Sequence, residues 1–127
     1  MIFSILLFVT AFVTGGHGFG LSSHVLDIST GIPAQNFQII LSYNDNDSWK
    51  QINGSYYTDI KGRVEFSVPN QRAGQYKLFF NTGEYYCVEN TFFPFIEIVF
   101  NIVDMSAHYH VPITLSPYGF STYKGSN

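Results

Sequence analysis

Short apolar or alternating runs, separated by turn residues, dominate the chain after its first twenty positions. They cover residues 21–27, 37–43, 63–68, 75–80, 94–103, 111–116 and 118–123. Glycine, proline and asparagine fall between these runs at intervals of about 8–12 residues, a spacing typical of an all-β sandwich. Residues 49–58 form a further candidate strand, which is interrupted at Asn53-Gly54, a pair that favours a hairpin turn.

One segment departs from the strand pattern. Residues 82–89, with the sequence TGEYYCVE, favour a single short helix with Thr82 as its N-cap and Glu84 in its first turn. The helix propensity of these residues is modest, so packing against the sandwich has to stabilise the helix.

The first twenty residues carry a different pattern. Residues 2–13 are almost all apolar, several glycines follow them, and no Asp, Glu, Lys or Arg precedes Asp27. As a helix the apolar run spans roughly 18 Å, which is too short for a bilayer core of about 30 Å. Its length and its small-residue end are typical of a secretory signal peptide, although no basic residue precedes it. A hydrophobic first strand and an uncleaved membrane anchor are the alternatives.

This pattern predicts a signal peptide over residues 1–20 and one domain over residues 21–127. The expected protein is secreted or in the secretory pathway, and it has no membrane attachment after cleavage. Two Asn-x-Ser/Thr sequons, at Asn46 and Asn53, agree with this route.

Composition narrows the classes of function. Hydrophobic residues make up 46% of the chain and aromatic residues 18%, which is enough apolar surface to exclude a disordered protein. Six Lys and Arg against nine Asp and Glu give a net charge of −3, so the chain lacks the charge expected of a nucleic-acid-binding protein. The sequence contains no phosphate-binding glycine loop and no serine-hydrolase elbow, so nucleotide chemistry and ordinary serine hydrolysis have no support.

Three histidines are candidates for chemistry. His108 and His110 are two residues apart, so both imidazoles project from one face of a strand. That arrangement suits a zinc pair, a general base or a proton relay. His24 shares a strand face with Ser22, and a solvent-exposed edge histidine is the simpler interpretation of its position.

Two further features complete the candidate set. Arg63 follows a turn, where it is suited either to clamping an anionic or carbonyl-rich substrate or to being a solvated cation at a strand end. Residues 116–127 are aromatic and strand-like almost to the last position. Chain ends usually fray, so this composition indicates that the tail packs against other parts of the protein.

Together these segments resemble the transthyretin-related proteins and, within them, the 5-hydroxyisourate hydrolases. The similarity runs from Leu21 to Ser126. It is carried by LSSHVLD with GIPA (21–27 and 31–34), TDIKGR (58–63), FFPFIEIVF (92–100), and HYHVP with LSPYGFSTYKGS (108–112 and 115–126). The last stretch is the most specific because of its length. The family usually ends in Tyr-Arg-Gly-Ser, whereas Lys124 here keeps the positive charge and lacks the planar guanidinium.

The resemblance implies an all-β, transthyretin-like (prealbumin-like) sandwich of two four-stranded sheets with one short helix. It implies a homotetramer whose active sites lie in a channel where subunits meet. The implied catalytic residues are His24, Arg63, His110 and Ser126. The implied substrate-binding residues are His24, Arg63, His108 and Tyr123.

The resemblance also implies the reaction, which is hydrolysis of a cyclic amide in a small-molecule substrate. 5-Hydroxyisourate, an oxidised purine formed from urate, is opened to 2-oxo-4-hydroxy-4-carboxy-5-ureidoimidazoline. His24 or His110 activates water, Arg63 stabilises charge on the ring oxygens, and Ser126 hydrogen-bonds the water or the leaving nitrogen. We expect no metal and no other cofactor, because the only carboxylate within the histidine-bearing motifs, that of Asp27, lies on the strand face opposite His24.

Other functions stay open at this point. The main alternative is a secreted carrier of small aromatic ligands, of the transthyretin type and without catalysis. A zinc-dependent hydrolase and a ligand-free structural or signalling sandwich are further alternatives. The related hydrolases are often cytosolic or peroxisomal, so a cytoplasmic or peroxisomal location is the alternative to secretion, although the chain ends without a peroxisomal signal.

Overall fold

The computed structural model describes residues 18–126. Its ten strands are β1 Gly20–Asp27, β2 Ile32–Pro33, β3 Gln38–Asp45, β4 Ser48–Gln51, β5 Tyr56–Tyr57, β6 Arg63–Glu65, β7 Gly74–Phe80, β8 Ile96–Ile102, β9 His108–Ser116 and β10 Gly119–Thr122. One α-helix, α1, covers Thr82–Tyr86, and a 3₁₀ turn follows it at Val88–Asn90. Within residues 18–126, neither helical segment has the length and apolar character needed to cross a membrane.

The strands form two sheets. The first has the order β10-β9-β1-β2, with β6 also paired to β1, and the second has the order β4-β3-β7-β8, with β5 also paired to β3. In each sheet two short strands pair with successive parts of one long strand, so each sheet is four strands wide and contains five strands. The predicted two-sheet sandwich with one short helix is therefore confirmed, and the structure adds a divided edge to each sheet.

The turns around β4 differ from the sequence prediction. The β3–β4 hairpin turns at Asn46 and Asp47, whose φ values of 52° and 66° lie in the left-handed region that asparagine and aspartate tolerate best among residues other than glycine. The predicted break at Asn53-Gly54 is present, but β4 and β5 both pair with β3 and not with each other. The expected hairpin at Asn53-Gly54 is therefore wrong, since the chain continues along the same edge of β3.

The core between the sheets extends beyond the predicted domain boundary. Phe19 is only 4% exposed, and its ring packs edge-on against those of Tyr76 and Tyr109. The side-chain amide of Gln71 accepts from the Phe19 amide at 2.9 Å and donates to its carbonyl at 2.8 Å. Phe19 and Gly20 therefore belong to the sandwich, and the domain starts earlier than residue 21. Of the rest of the predicted leader, Gly18 is exposed, and residues 1–17 lie outside the described residues.

The short helix is capped by a different residue from the one predicted. The Asn81 side-chain oxygen accepts from the amide of Glu84 at 3.2 Å, so Asn81 is the N-cap. Thr82 is instead buried, and its hydroxyl donates to the carbonyl of Phe93. Because the Thr82 hydroxyl is bonded to the Phe93 carbonyl in the core, the preceding residue, Asn81, caps the helix.

Asp27 ties the helix to the first sheet. Its carboxylate accepts from the amide of Ser29 at 2.9 Å and from the hydroxyl of Tyr85 at 3.0 Å. Burial opposes ionisation of Asp27, but hydrogen bonds from hydroxyl and amide groups outweigh it and lower the pKa of this carboxyl. Burial, with the adjacent carboxylate, raises the pKa of Tyr85 to about 12. Asp27 is thus a structural anchor on the core side of β1, opposite His24, as strand alternation predicted.

Candidate active site

Six polar side chains from three adjacent strands share the outer face of the first sheet. They are Ser22 and His24 of β1, Arg63 and Glu65 of β6, and His108 and His110 of β9. β1 lies in the middle, and its residue 22 has residue 65 on one side and residue 110 on the other. Alternation along each strand directs this set away from the core, because Leu21, Ser23 and Val25 face inward and are fully buried.

The parallel pairing of β1 with β9 positions the two candidate histidines of β9. It places His108 opposite Gly20 and His110 opposite Ser22. These residues are almost ninety positions apart in sequence, so the site depends on the contact between the first and the ninth strand.

The C-terminal tail completes the pocket. The Gly125 amide donates to the His110 carbonyl at 2.8 Å, which holds the tail beside β9. The result is an open pocket of about 450 Å³. It is lined by Ser22, Arg63, Glu65, His108, His110 and Ser126. The prediction that the tail packs against the fold is thus confirmed.

Four of the predicted site residues, Arg63, His108, His110 and Ser126, line this pocket together. His24 lies directly opposite Arg63 in the β1–β6 register and flanks the pocket.

Ser22 joins the two histidines of β9. Its Oγ lies 3.1 Å from Nε2 of His108 and 2.8 Å from Nδ1 of His110, both within hydrogen-bonding distance. Ser22 is 6% exposed, so this hydroxyl belongs to the pocket wall. Strand alternation predicted that Ser22 shares the face of His24, but the sequence indicated no role for its hydroxyl. The alternation along β1 was the available signal.

Glu65 is the other pocket residue that was not predicted from the sequence. It follows Arg63 by two positions on β6 and therefore lies on the same face. The expectation that only Asp27 accompanies the histidines as a carboxylate is corrected here, because Glu65 lines the pocket itself. The alternation of polar and apolar residues over Arg63, Val64 and Glu65 is the sequence signal that could have placed Glu65 on the face of Arg63.

The electrostatics of the pocket favour a neutral His110. Burial lowers the pKa of His110 below its usual 6.5, and positive charge on Arg63, His24 and His108 lowers it further. Glu65 acts in the opposite direction and raises it. The net depression leaves His110 unprotonated, and so able to accept a proton, at near-neutral pH.

Tyr123 lies outside the histidine pocket. It lines a neighbouring, mostly apolar pocket of about 500 Å³ together with Tyr109, Lys124 and residues of β8. His110 contributes to the walls of both pockets. The Nζ atom of Lys124 lies 5.7 Å from the centre of the Tyr109 ring, within the range of a cation–π contact. The predicted substrate contact of Tyr123 stays a prediction, and it requires a ligand that reaches past His110.

A three-ligand metal centre is not formed by the described part of the chain. Within residues 18–126, no three His, Cys, Asp or Glu side chains are arranged to hold a metal ion. Nε2 of His108 and Nδ1 of His110 both contact the Ser22 hydroxyl. The arrangement is therefore that of a hydrogen-bonded acid–base cluster with an adjacent guanidinium.

Comparison with known proteins agrees with the fold. The chain matches the model of the HIUase/Transthyretin family over residues 21–125. A Caenorhabditis elegans protein named "Probable 5-hydroxyisourate hydrolase" is 48% identical over 110 residues, covering 84% of this chain and 81% of the relative.

Two solved structures are similar as well. Klebsiella pneumoniae 5-hydroxyisourate hydrolase superposes with a TM-score of 0.72 at 34% identity, covering 84% of this chain and 98% of the other. Sea bream transthyretin in complex with thyroxine gives a TM-score of 0.76 at 26% identity, covering 84% and 95%. Since the family model covers most of the sequence and a relative is nearly half identical over 84% of it, this chain belongs to the HIUase/transthyretin family.

Proposed function

We propose that this protein is a hydrolase that opens the six-membered ring of 5-hydroxyisourate in urate breakdown. The observation that carries the proposal is the meeting of Arg63, His108, His110 and Ser126 in one pocket, with His24 beside Arg63. Relatives that bear the name 5-hydroxyisourate hydrolase come from nematodes, bacteria and mouse. The product is 2-oxo-4-hydroxy-4-carboxy-5-ureidoimidazoline.

The pocket supplies the groups that this hydrolysis needs. His110 takes a proton from water as the water oxygen attacks the ring carbonyl carbon, a role that its lowered pKa supports. Arg63 stabilises the negative charge that develops on the carbonyl oxygen. The carbon–nitrogen bond then breaks, and the leaving nitrogen receives the proton from His110. Ser126 hydrogen-bonds the water or that nitrogen, and His24 helps to orient the substrate beside Arg63.

The proposed mechanism needs no metal. Supporting this, the facing ring nitrogens of His108 and His110 are engaged by the hydroxyl of Ser22. The zinc alternative makes a different prediction, because a chelator would abolish activity and zinc would restore it.

The proposal includes a homotetramer with sites completed where subunits meet. β8 and β10 are edge strands of the two sheets, and large apolar side chains are exposed on and near them. These are Phe92, Phe95, Val99, Val103, Tyr118 and Phe120. Exposed apolar surface of this kind favours self-association. Sedimentation at micromolar concentration as a tetramer would support this assembly, and a monomer would contradict it.

A carrier of aromatic ligands is the second candidate, because sea bream transthyretin shares the fold in its thyroxine complex. The arginine, the glutamate and the two histidines make the pocket described above polar and charged, which favours hydrolysis of a polar substrate over binding of an apolar one. Freshly prepared 5-hydroxyisourate distinguishes the two by the decay of its ultraviolet absorbance. Faster decay with enzyme supports the hydrolase, whereas unchanged decay together with stoichiometric thyroxine binding supports the carrier.

The cellular route belongs to the same proposal. We infer that the N-terminal residues, up to an end between Gly16 and Gly18, act as a cleaved secretory leader, on the strength of the apolar run over 2–13. A secreted hydrolase would then act on substrate outside the cytoplasm. Retention of a leader-bearing, active protein in the cytosol would contradict this route.

A further inference from the structure

The hydroxyl of Ser22 faces two ring nitrogens and carries one hydrogen. A hydroxyl donates one hydrogen bond and accepts up to two, and a neutral imidazole has one N–H and one bare nitrogen. With Oγ at 3.1 Å from Nε2 of His108 and 2.8 Å from Nδ1 of His110, the single hydroxyl hydrogen cannot serve two bare nitrogens. If both rings donated, that hydrogen would need another acceptor, and residues 18–126 place none within hydrogen-bonding distance of Oγ. One donating and one accepting ring satisfies all three groups. The proton positions of the two rings are therefore linked through Ser22.

Two glycines hold the rings in this relationship. A Cβ on Gly20 would lie 2.3 Å from Nδ1 of His108, and a Cβ on Gly125 would lie 2.5 Å from Cδ2 of His110. Each ring thus rests against a backbone that has no side chain. Because Ser22 is also nearly buried, the hydroxyl cannot turn outward to solvent without losing contact with both rings.

We propose that Ser22 is a positioning residue that holds His108 and His110 in complementary tautomers, with one proton exchanged through its hydroxyl. This inference rests on the proposed hydrolase function and deepens it. In the state ready to accept a proton, His110 donates Nδ1–H to Ser22, Ser22 donates Oγ–H to Nε2 of His108, and Nε2 of His110 bears the free lone pair.

The proton balance of one turnover follows from this arrangement. When Nε2 of His110 takes a proton from water, its Nδ1 proton moves to Ser22 and the Ser22 proton moves to Nε2 of His108. His110 is then a neutral Nε2–H donor, and the positive charge resides on His108. When His110 gives its Nε2 proton to the leaving nitrogen, the two other protons move back and the starting state is restored.

Charged groups around His110 act on the same equilibrium. Arg63, His24 and His108 disfavour a positive charge on His110, and Glu65 favours it. Three neighbours that can carry positive charge, against one carboxylate, favour moving positive charge away from His110. A proton relay through Ser22 provides that transfer.

The direct test is the nitrogen NMR of histidine-labelled protein, with signals assigned by the loss of each resonance in His108→Gln and His110→Gln. Above the pKa of His110, we expect one of the two facing nitrogens to be protonated and the other bare. Two bare or two protonated facing nitrogens in the unsubstituted protein would overturn the proposal. This readout needs no substrate, so it stands even if the hydrolase assignment fails.

Substitution adds a functional readout with a matched control. Ser22→Ala should remove the complementary pattern and lower kcat by about tenfold with KM nearly unchanged, and Ser22→Thr should restore both. Ser23→Ala is the control, because it deletes a hydroxyl one residue away that donates to the Val111 carbonyl on the core side. It should lower stability without changing the nitrogen spectra or kcat. Unchanged spectra and kcat in Ser22→Ala would contradict a positioning role.

Discussion

The imidazole of His110 occupies the space that a side chain on Gly125 would take, and the Gly125 amide donates to the His110 carbonyl at 2.8 Å. A methyl group in place of the glycine hydrogen would lie 2.5 Å from Cδ2 of the ring and 3.2 Å from Cδ of Pro112. This contact gives the glycine of the Tyr-Lys-Gly-Ser ending a physical reason, which is to let the tail approach His110.

We therefore expect Gly125→Ala to damage the site far more than the fold. The ring of His110 has to move, and displacement of a catalytic group by about 1 Å can cost roughly 10²-fold in rate. Measured kcat/KM should fall by about that factor, and the thermal midpoint should change little. Gly54→Ala is the control, since a Cβ there meets nothing within 4 Å. Equal activity in the two variants would contradict this account of Gly125.

The local pattern of the sequence was sufficient to predict part of the fold and of the candidate site. Alternation predicted that His108 and His110 share a face of their strand and that His24 shares a face of its own strand with Ser22, and turn residues separated most strands correctly. Local pattern could not show that β1 and β9 pair in parallel, because the register of distant strands depends on the whole core. Glu65 and the role of Ser22 follow from that register. Phe19 was assigned to the leader because an apolar residue after an apolar run looks the same in a signal peptide and in a first strand.

The pH dependence should reflect the lowered pKa of His110. The bare imidazole is the active form, so kcat/KM should rise with pH along a limb that lies below pH 6.5. Glu65→Gln removes the one neighbour that favours the protonated ring and should move this limb to lower pH. The pH–rate profiles of both proteins measure the shift. Movement of the limb to higher pH in the variant would contradict the assigned base.

The same pKa shift affects stability with a definite sign. Because the folded His110 binds a proton less readily than the unfolded chain, the unfolded state gains more protons as pH falls through 6.5. The His110 contribution to the free energy of unfolding therefore decreases with acidification. His110→Gln should weaken that acid dependence in urea titrations.

Catalysis should depend on imidazole and guanidinium groups and not on a metal. We expect His24→Ala, Arg63→Ala and His110→Ala each to lower kcat/KM by about 10²-fold or more, the scale of a lost base or charge stabiliser. Each variant should keep its fold and assembly, because these side chains line or flank the pocket and none of them belongs to the buried core. Dialysis against a chelator should leave the rate of the unsubstituted protein intact. Loss of rate that zinc restores would favour the zinc alternative.

Asp27 should contribute to the stability of the fold and not to catalysis. Asp27→Asn removes charge-assisted hydrogen bonds from Ser29 and Tyr85, and we expect a loss of about 2 kcal/mol in the free energy of unfolding. Since the folded pKa of Asp27 is lowered, its stabilising contribution is present above 3.8 and is lost as pH falls through the folded value. Urea titrations should show this, with Asp47→Asn as the exposed control. A variant as stable as the control would contradict the anchoring role.

The burial of Phe19 sets a limit on where a leader can be removed. Cleavage after Gly20 would delete Phe19 and its paired hydrogen bonds to Gln71, together with Gly20, on which the His108 ring rests. Loss of a buried phenylalanine side chain costs about 3–5 kcal/mol, so a chain that begins at Leu21 should unfold well below one that begins at Gly18. It should also have lower activity, because His108 loses its support.

N-terminal sequencing of secreted protein should accordingly find a first residue between His17 and Phe19. Two recombinant chains, starting at Gly18 and at Leu21, test the reason for this limit by thermal unfolding and by 5-hydroxyisourate decay. Gly18 is exposed and is a suitable first residue, whereas Phe19 is required by the core. Equal stability of the two chains, or secreted protein that begins at Leu21 and is fully active, would show that Phe19 is dispensable.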